Sequence, residues 1–588
     1  MTSPDATRKG THRRTILLAL GAVGLVLIAS AVWVGVRAVL LKAELEAMLP
    51  LASQLEEAAN SRDLDRLGQV VTELGSHTAQ ADALSGDPMW RVAELTPWIG
   101  PNLAAARVVS SHLHAITVAA DPLISVLESS SADDVAFDVE HLAALAGPLR
   151  RTSDALTAAD SALTDIDTRQ LIAPLASGVD RLTGAVGVAA APLEQIAPAL
   201  EALPTVLGAD GPRNILVMLQ NNAELRTSGG ISGSFALLRA DDGSVSLVDQ
   251  ADSSDFPGQT EPVAPVPAST TELYGDRVGR FVQNATMPSS FPVTAELVTA
   301  WWSTRSDVSP DAVISLDMPA VAAMLHAAGP VVLPDGTELN SDNVVQKLLV
   351  DAYLELDRDQ QTALQQQLTA TLFATVLSGG VDTFALVDAL VQPIADGRIT
   401  IWSADPADEK RFAASAFAGQ SVRHADAGPG AFAVYFNDAT AGKMGPFLDV
   451  AMTVGRADCR PDGLSDGVVT VALTNTAAPD AGTALPWWVT GGGIEGVEPG
   501  DIRMSVSVAA PPGAFFDGVT VGGENVLSTD VTDEGFPTSA TTISMRPGET
   551  KEVTFRFVVD LGRDVAPSLL HTPLLTPADV EVVSPVCR

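Results

Sequence analysis

An uncharged apolar run, TILLALGAVGLVLIASAVWVGV, fills Thr15 to Val36. At about 1.5 Å rise per residue a helix of this length reaches about 33 Å, enough for a hydrocarbon core of about 30 Å. Arg8, Lys9, Arg13 and Arg14 precede the run, and Arg37 and Lys42 follow it. The heavier basic cluster lies before the span, which predicts a cytoplasmic N-terminus and an extracytoplasmic bulk. A cleaved leader is the competing reading, because Ala29-Ser30-Ala31 has the small-x-small form of a cleavage site. The apolar sequence continues through Val32-Trp33-Val34, longer than a usual leader core, so a retained single-pass anchor in the lipid bilayer is expected.

The rest of the 588 residues is too long for one core, and a content of 46% hydrophobic against 18% charged residues fits folded domains. A formal net charge of −37 argues against nucleic acid as a partner, since phosphate binding needs clustered Lys and Arg. The two cysteines, Cys459 and Cys587, lack zinc-ligand spacing and in an oxidising compartment would form one disulfide; two unpaired thiols are the alternative.

Hydrophobic periodicity divides the chain. Residues 1–14 read as a cytoplasmic tail and 15–41 as the transmembrane anchor. Residues 42–208 read as a helical stalk domain, in which Leu142, Leu149, Leu156 and Leu163 recur every seven positions. That seam serves either a homo-oligomeric coil or the core of a bundle. Residues 209–427 alternate short apolar strands (Asn214–Leu219, Phe235–Arg239, Ala312–Leu316, Ile399–Trp402) with helical stretches such as Pro319–Ala328, the pattern of an α/β domain. Residues 428–588 show period-two alternation (Val469, Val471, Leu473; Val553, Phe555, Phe557) and predict a β-sandwich.

The densest polar stretch runs from Gln220 to Ser234, QNNAELRTSGGISGS, between two expected strands. Arg226 would grip a phosphate or carboxylate bidentately. The backbone at Gly229, Gly230 and Gly233 would approach a ligand closely. Asn221, Asn222 and Glu224 would orient the turn or meet sugar hydroxyls. A self-satisfied turn with an internal Arg–Glu pair is the alternative. The stretch is no nucleotide P-loop, because it lacks the G-K-[ST] ending and leads into a strand. Downstream, Asp249, Asp252 and Asp255 would hold Mg²⁺ beside substrate phosphates, or simply form an acidic loop.

The stretch Gln220–Leu238 resembles the signature of the bacterial domain-of-unknown-function 4012 family. Asp87-Pro88-Met89-Trp90, Pro97-Trp98-Ile99-Gly100, Ser290-Phe291-Pro292, Asp311 to Asp317, Ala328-Gly329-Pro330-Val331, Asn437-Asp438, Lys443-Met444 and Asn475-Thr476 fit it in order. The resemblance implies a membrane-anchored envelope protein of the actinobacterial cell wall and assigns no chemistry. The strand–polar turn–strand layout is also similar to the LytR–CpsA–Psr family, which would imply binding of an anionic or lipid-linked glycopolymer, or its Mg²⁺-dependent transfer. Where that family carries R-S-D-T, this chain has Ile231-Ser232-Gly233-Ser234, so Arg226 and the aspartates would have to substitute. A non-catalytic envelope scaffold is the third expectation.

Overall fold

One helix, α1, runs from Arg8 to Ser61 through the whole apolar segment and beyond it. The structure is a computed structural model and describes residues 8–583 apart from 62, 131–138, 378–382, 459 and 563–564. The expected Cys459–Cys587 pairing therefore lies outside the described residues. Leu18, Leu20, Leu25, Leu27 and Ile28 have their side chains exposed, whereas Leu41, Met48 and Leu51 are buried. Packing against the protein thus begins at Val34, in the last turn of the apolar run. Among the described residues two helical stretches, Leu20–Ala58 and Gly100–Leu127, are long and apolar enough to cross a membrane. The second is a bundle helix that buries part of its surface within the protein.

The chain divides into two compact units that meet in sequence between Leu200 and Glu201. The first is helical. Asp63 caps α2 (Leu64–Ser85), and Asp87 caps the short α3 (Pro88–Ala93) with Pro88 at its first turn. Three longer helices follow: α4 (Gly100–Ser130), α5 (Val139–Thr164) and α6 (Ala173–Val206). Val34, Leu41, Met48, Ala81, Trp90 and Leu103 form one core of this unit. Leu156, Ala159 and Leu163 form another with Val109, Val179 and Val186. The heptad leucines at 156 and 163 are therefore spent inside the bundle.

The second unit holds three large sheets. In the first, the order is β3 (Ser244–Asp252), β2 (Ile231–Asp241), β1 (Arg213–Asn221), β4 (Ala312–Asp317), with β7 (Ile399–Ser403) at the far edge. A small hairpin of β5 (Val331–Val332) and β6 (Glu338–Leu339) intervenes in sequence. β1 and β4 are parallel, and the other pairs are antiparallel. Successive side chains of a strand face opposite ways, so helices can cover both faces. Leu216 and Met218 meet Trp301 and Trp302 of the Phe291–Trp302 helix. Leu219, from the other set, lies with Leu348 and Leu368 of the Val344–Glu355 and Arg358–Leu377 helical segments.

Two further sheets follow. One is β13 (Glu524–Val526), β12 (Phe515–Val521), β16 (Thr550–Val559), β10 (Ser465–Asn475), β9 (Leu448–Ala457), β18 (Asp579–Val583). The other is β14 (Thr529–Asp533), β15 (Phe536–Met545), β11 (Ile502–Ala509), β8 (Ala431–Asp438), β17 (Ser568–His571). β10 buries every second residue, as its alternation predicts. Two helical turns, Ala481–Ala484 and Trp487–Thr490, interrupt this region where only strands are expected. Residues from 209 to 427 and from 428 onward, expected as separate domains, lie within one compact unit, and the polar stretch shows why.

Candidate functional site

The connection between β1 and β2 is short, because Ile231 already begins β2 and Gly233 and Ser234 belong to the strand. Every residue of the connection is buried, with Asn222 and Thr227 at 0% exposure and Arg226 at 4%. A buried polar segment is stable only if its groups are paired within the protein. Here they are.

Arg226 is the clearest case. Nε and Nη2 donate to Asn284 Oδ1 at 3.3 and 2.8 Å, and Nη2 donates to Glu224 Oε1 at 2.9 Å. Nη1 donates to the carbonyls of Leu225 and Asp438 at 2.8 and 3.1 Å. A guanidinium has five N–H groups, and these five bonds account for all of them. The expected phosphate grip is corrected: Arg226 is turned inward and committed to protein acceptors. Glu224 also takes Lys443 Nζ at 2.6 Å. Burial pushes the Glu224 carboxyl up, but Lys443 and Arg226 outweigh it and hold it below its usual value. Burial likewise lowers Lys443, and Glu224 more than reverses this.

The amides are equally engaged. Asn222 Nδ2 donates to Asp317 Oδ2 at 3.0 Å, and Asn222 Oδ1 accepts from Met318 N at 3.3 Å. Asp317 caps the Met318–Ala328 helix through Ala320 N and takes Arg398 Nη1 at 2.7 Å. Gln220 bridges Ser315 Oγ and Gly230 N. Asn221 Nδ2 donates to the Tyr353 hydroxyl. From β8, Asn437 Oδ1 accepts Thr227 N at 3.2 Å and Asn437 Nδ2 donates to Thr227 Oγ1 at 3.0 Å, while Asp438 N donates to the Leu225 carbonyl.

Glycine enables this packing rather than contact with a ligand. Gly229 sits at φ 130°, a region side chains rarely adopt. A Cβ on Gly230 would stand 2.4 Å from the Asn221 carbonyl. Both glycines let the chain approach itself.

The aspartates do not converge. Asp249 pairs with Arg305 at 3.4 Å. Asp252 and Asp255 close a capping box around Ser253–Asp255, each accepting a backbone N–H at 2.9 Å. Among the described residues no group of three His, Cys, Asp or Glu is arranged to hold a metal ion.

One open cleft does border the buried network. It has a volume of 540 Å³, and Asn221, Glu224, Gly233 and Asp252 line it together with Tyr353 and Lys443. Gln283, Arg358, Asp359, Gln361 and Gln365 complete its polar wall. Four of the expected residues thus share a cleft, while Asn222, Arg226, Gly229, Gly230, Asp249 and Asp255 stay outside its lining. Tyr353, Gln361 and Gln365 carry no local motif, and only the fold brings them in; Lys443, which the family resemblance includes, joins them the same way.

These features define a multidomain protein with an N-terminal apolar helix, a helical region and a sheet-rich C-terminal region, the last of which holds a buried polar loop bonded within it. Residues 210–353 match the family model described as a protein of unknown function (DUF4012). The match opens just before β1 and closes on Tyr353, so Arg398, Asn437, Asp438 and Lys443 lie beyond it. No curated protein and no solved structure matches the chain.

Proposed function

We propose that the chain is a membrane-anchored, extracytoplasmic envelope protein that binds the saccharide part of a glycopolymer, lipid-linked or free, in the Asn221–Tyr353–Gln365 cleft. The observation that supports this reading is the cleft lining. It sets four carboxamides (Asn221, Gln283, Gln361, Gln365) beside Tyr353, Ser253, Ser254 and Thr362. Carboxamides and hydroxyls both donate and accept, which suits sugar hydroxyls that do the same. The charges favour a neutral segment over a pyrophosphate. Lys443 is tied to Glu224, Arg358 stands 5.3 Å from the Trp487 ring, and Asp252 and Asp359 face the same space.

The Mg²⁺-dependent transferase of LytR–CpsA–Psr type draws less support, because Arg226, its expected anion group, faces inward. The sheet with two-sided helical cover is compatible with that family's α/β layout. In the same reading the β10 and β11 sheets form a sandwich, supported by β10, which buries alternate residues along its length.

Calorimetric titration of the full chain in detergent, with a panel of neutral oligosaccharides and with inorganic pyrophosphate, tests the proposal. An oligosaccharide binds, pyrophosphate does not, and Gln365→Ala weakens binding about tenfold, the worth of one or two polar contacts. Arg226→Ala lowers the folded fraction but leaves affinity per folded molecule unchanged. Binding of pyrophosphate alone, abolished by Arg358→Ala, would overturn the saccharide reading in favour of an anion site. Binding of nothing on the panel would leave the motif a scaffold.

A further inference from the structure

The helical unit exposes an apolar tip where α1 leaves its apolar run. α1 and α2 are antiparallel: His77 Nδ1 meets Glu44 Oε2 at 2.7 Å, and further along Arg37 Nη1 donates to the carbonyls of Ala83 and Leu84 at 3.0 Å. The end of α2 therefore returns to the level of Arg37, one residue past the apolar segment. Asp87, which caps α3, pairs with Arg37 at 3.2 Å and accepts Trp33 Nε1 at 3.4 Å. Trp90 of α3 shares a core with Val34. The α3–α4 connection is thus held beside the last turn of the apolar run.

What it presents there is unlike a soluble loop. Trp98 is 90% exposed, Leu95 85%, and Val92 and Ile99 59% each. Trp98 adopts φ 66°, a conformation uncommon for a bulky residue. The loop is nonetheless fixed: Asn102 Nδ2 donates to the Trp98 carbonyl at 3.0 Å, and Arg107 Nε clamps Glu94 at 2.6 Å. Asn102 Oδ1 also accepts from Ile172 N at 2.8 Å, bringing a fifth exposed apolar residue to the same end.

We propose that this tip, Val92, Leu95, Trp98 and Ile99 with Ile172, is a second membrane contact, inserted into the interface of the bilayer that α1 spans. The inference rests on α1 being retained as an anchor. Tryptophan and aliphatic side chains held rigidly at the level where a span ends match the chemistry of the headgroup–acyl boundary. Two contacts on one bilayer would fix the tilt of the helical unit, which a single span leaves free.

The full chain reconstituted into phosphatidylcholine vesicles, with lipid brominated near the headgroup end of its acyl chains, tests this by tryptophan quenching. The wild type loses intensity from Trp33 and Trp98, Trp98→Phe loses only the Trp33 share, and Trp33→Phe only the Trp98 share. Trp98 is almost wholly exposed, so its replacement leaves folding intact. If Trp98→Phe is quenched as much as the wild type while Trp33→Phe is not quenched, the tip stays in water and the proposal fails with the anchor upheld. If no variant is quenched and the chain does not float with the vesicles, the anchor and the tip fall together.

Discussion

At the scale of the residue, Asp438 is the least settled group in the buried network. Its Oδ1 accepts Thr440 N at 2.5 Å, but its Oδ2 is buried without a partner among the described residues. Burial first, and the nearby Glu224 charge second, push its carboxyl up to about 7. An unfolded aspartate titrates near ~3.9. Between those values the folded state holds a proton that the unfolded chain has released, so stability is full below about pH 4 and is lost as pH rises through 7. Asp438→Asn removes this one titration. Thermal unfolding followed from pH 4 to 8 should show wild type losing stability relative to the variant, by at most about 1.4 kcal/mol per pH unit. A wild-type-minus-variant difference flat across that window would mean that Asp438 stays ionised beside Arg226.

Among elements, the β1–β2 connection decides how the second unit holds together. Its backbone and side chains are bonded by β4, by β8, by Tyr353 and by Asn284, so the loop is a hub and not a surface turn. A methyl at Gly230 would collide with the Asn221 backbone at 2.4 Å and with Asn222 N at 2.6 Å, atoms that no rotamer change can move. Gly230→Ala should therefore cost about 3 kcal/mol, read as a lowered unfolding temperature of the detergent-solubilised chain. A variant as stable as wild type would mean that the hub relaxes easily. This loop also marks where the sequence stops being readable. β1, β2 and β4 are legible as apolar runs of strand length bounded by turn residues, and the Met318–Ala328 helix by its amphipathic pattern from Pro319 to Ala328. The loop's fate is not. A Gly-rich polar stretch reads the same whether it faces a ligand or the core, and what decides is set by partners far away. Asn284 lies 58 residues beyond Arg226, and Lys443 lies 219 beyond Glu224. The cleft is half legible for the same reason: Asn221 and Glu224 stand out in the sequence, whereas Gln365 and Tyr353 join them only through the fold.

For the whole molecule, the fate of α1 decides where the protein acts. Its contacts do not reveal that fate, because Arg37 and Val34 lie after Ala29-Ser30-Ala31 and would survive cleavage there. Composition and exposure suit a bilayer, for an anchor and for an uncleaved leader alike, and the length of the apolar run is what favours the anchor. The side chains from Leu20 to Val32 that are described have almost no protein cover, and a helix of Leu, Ile and Val gains about 0.3–0.6 kcal/mol per such residue on entering a bilayer. The acidity of the remainder does not oppose this, since orientation follows Lys and Arg near the span and Asp and Glu contribute little. Alkaline carbonate washing of membranes should leave the chain in the pellet at full apparent mass. Ala29→Leu, which spoils the small-x-small pattern, should change neither mass nor fractionation. A shortened chain in the wash, restored to full length and to the pellet by Ala29→Leu, would show the segment to be a leader. The Trp98 tip would then be an exposed apolar surface of a released protein, with no bilayer holding it in place.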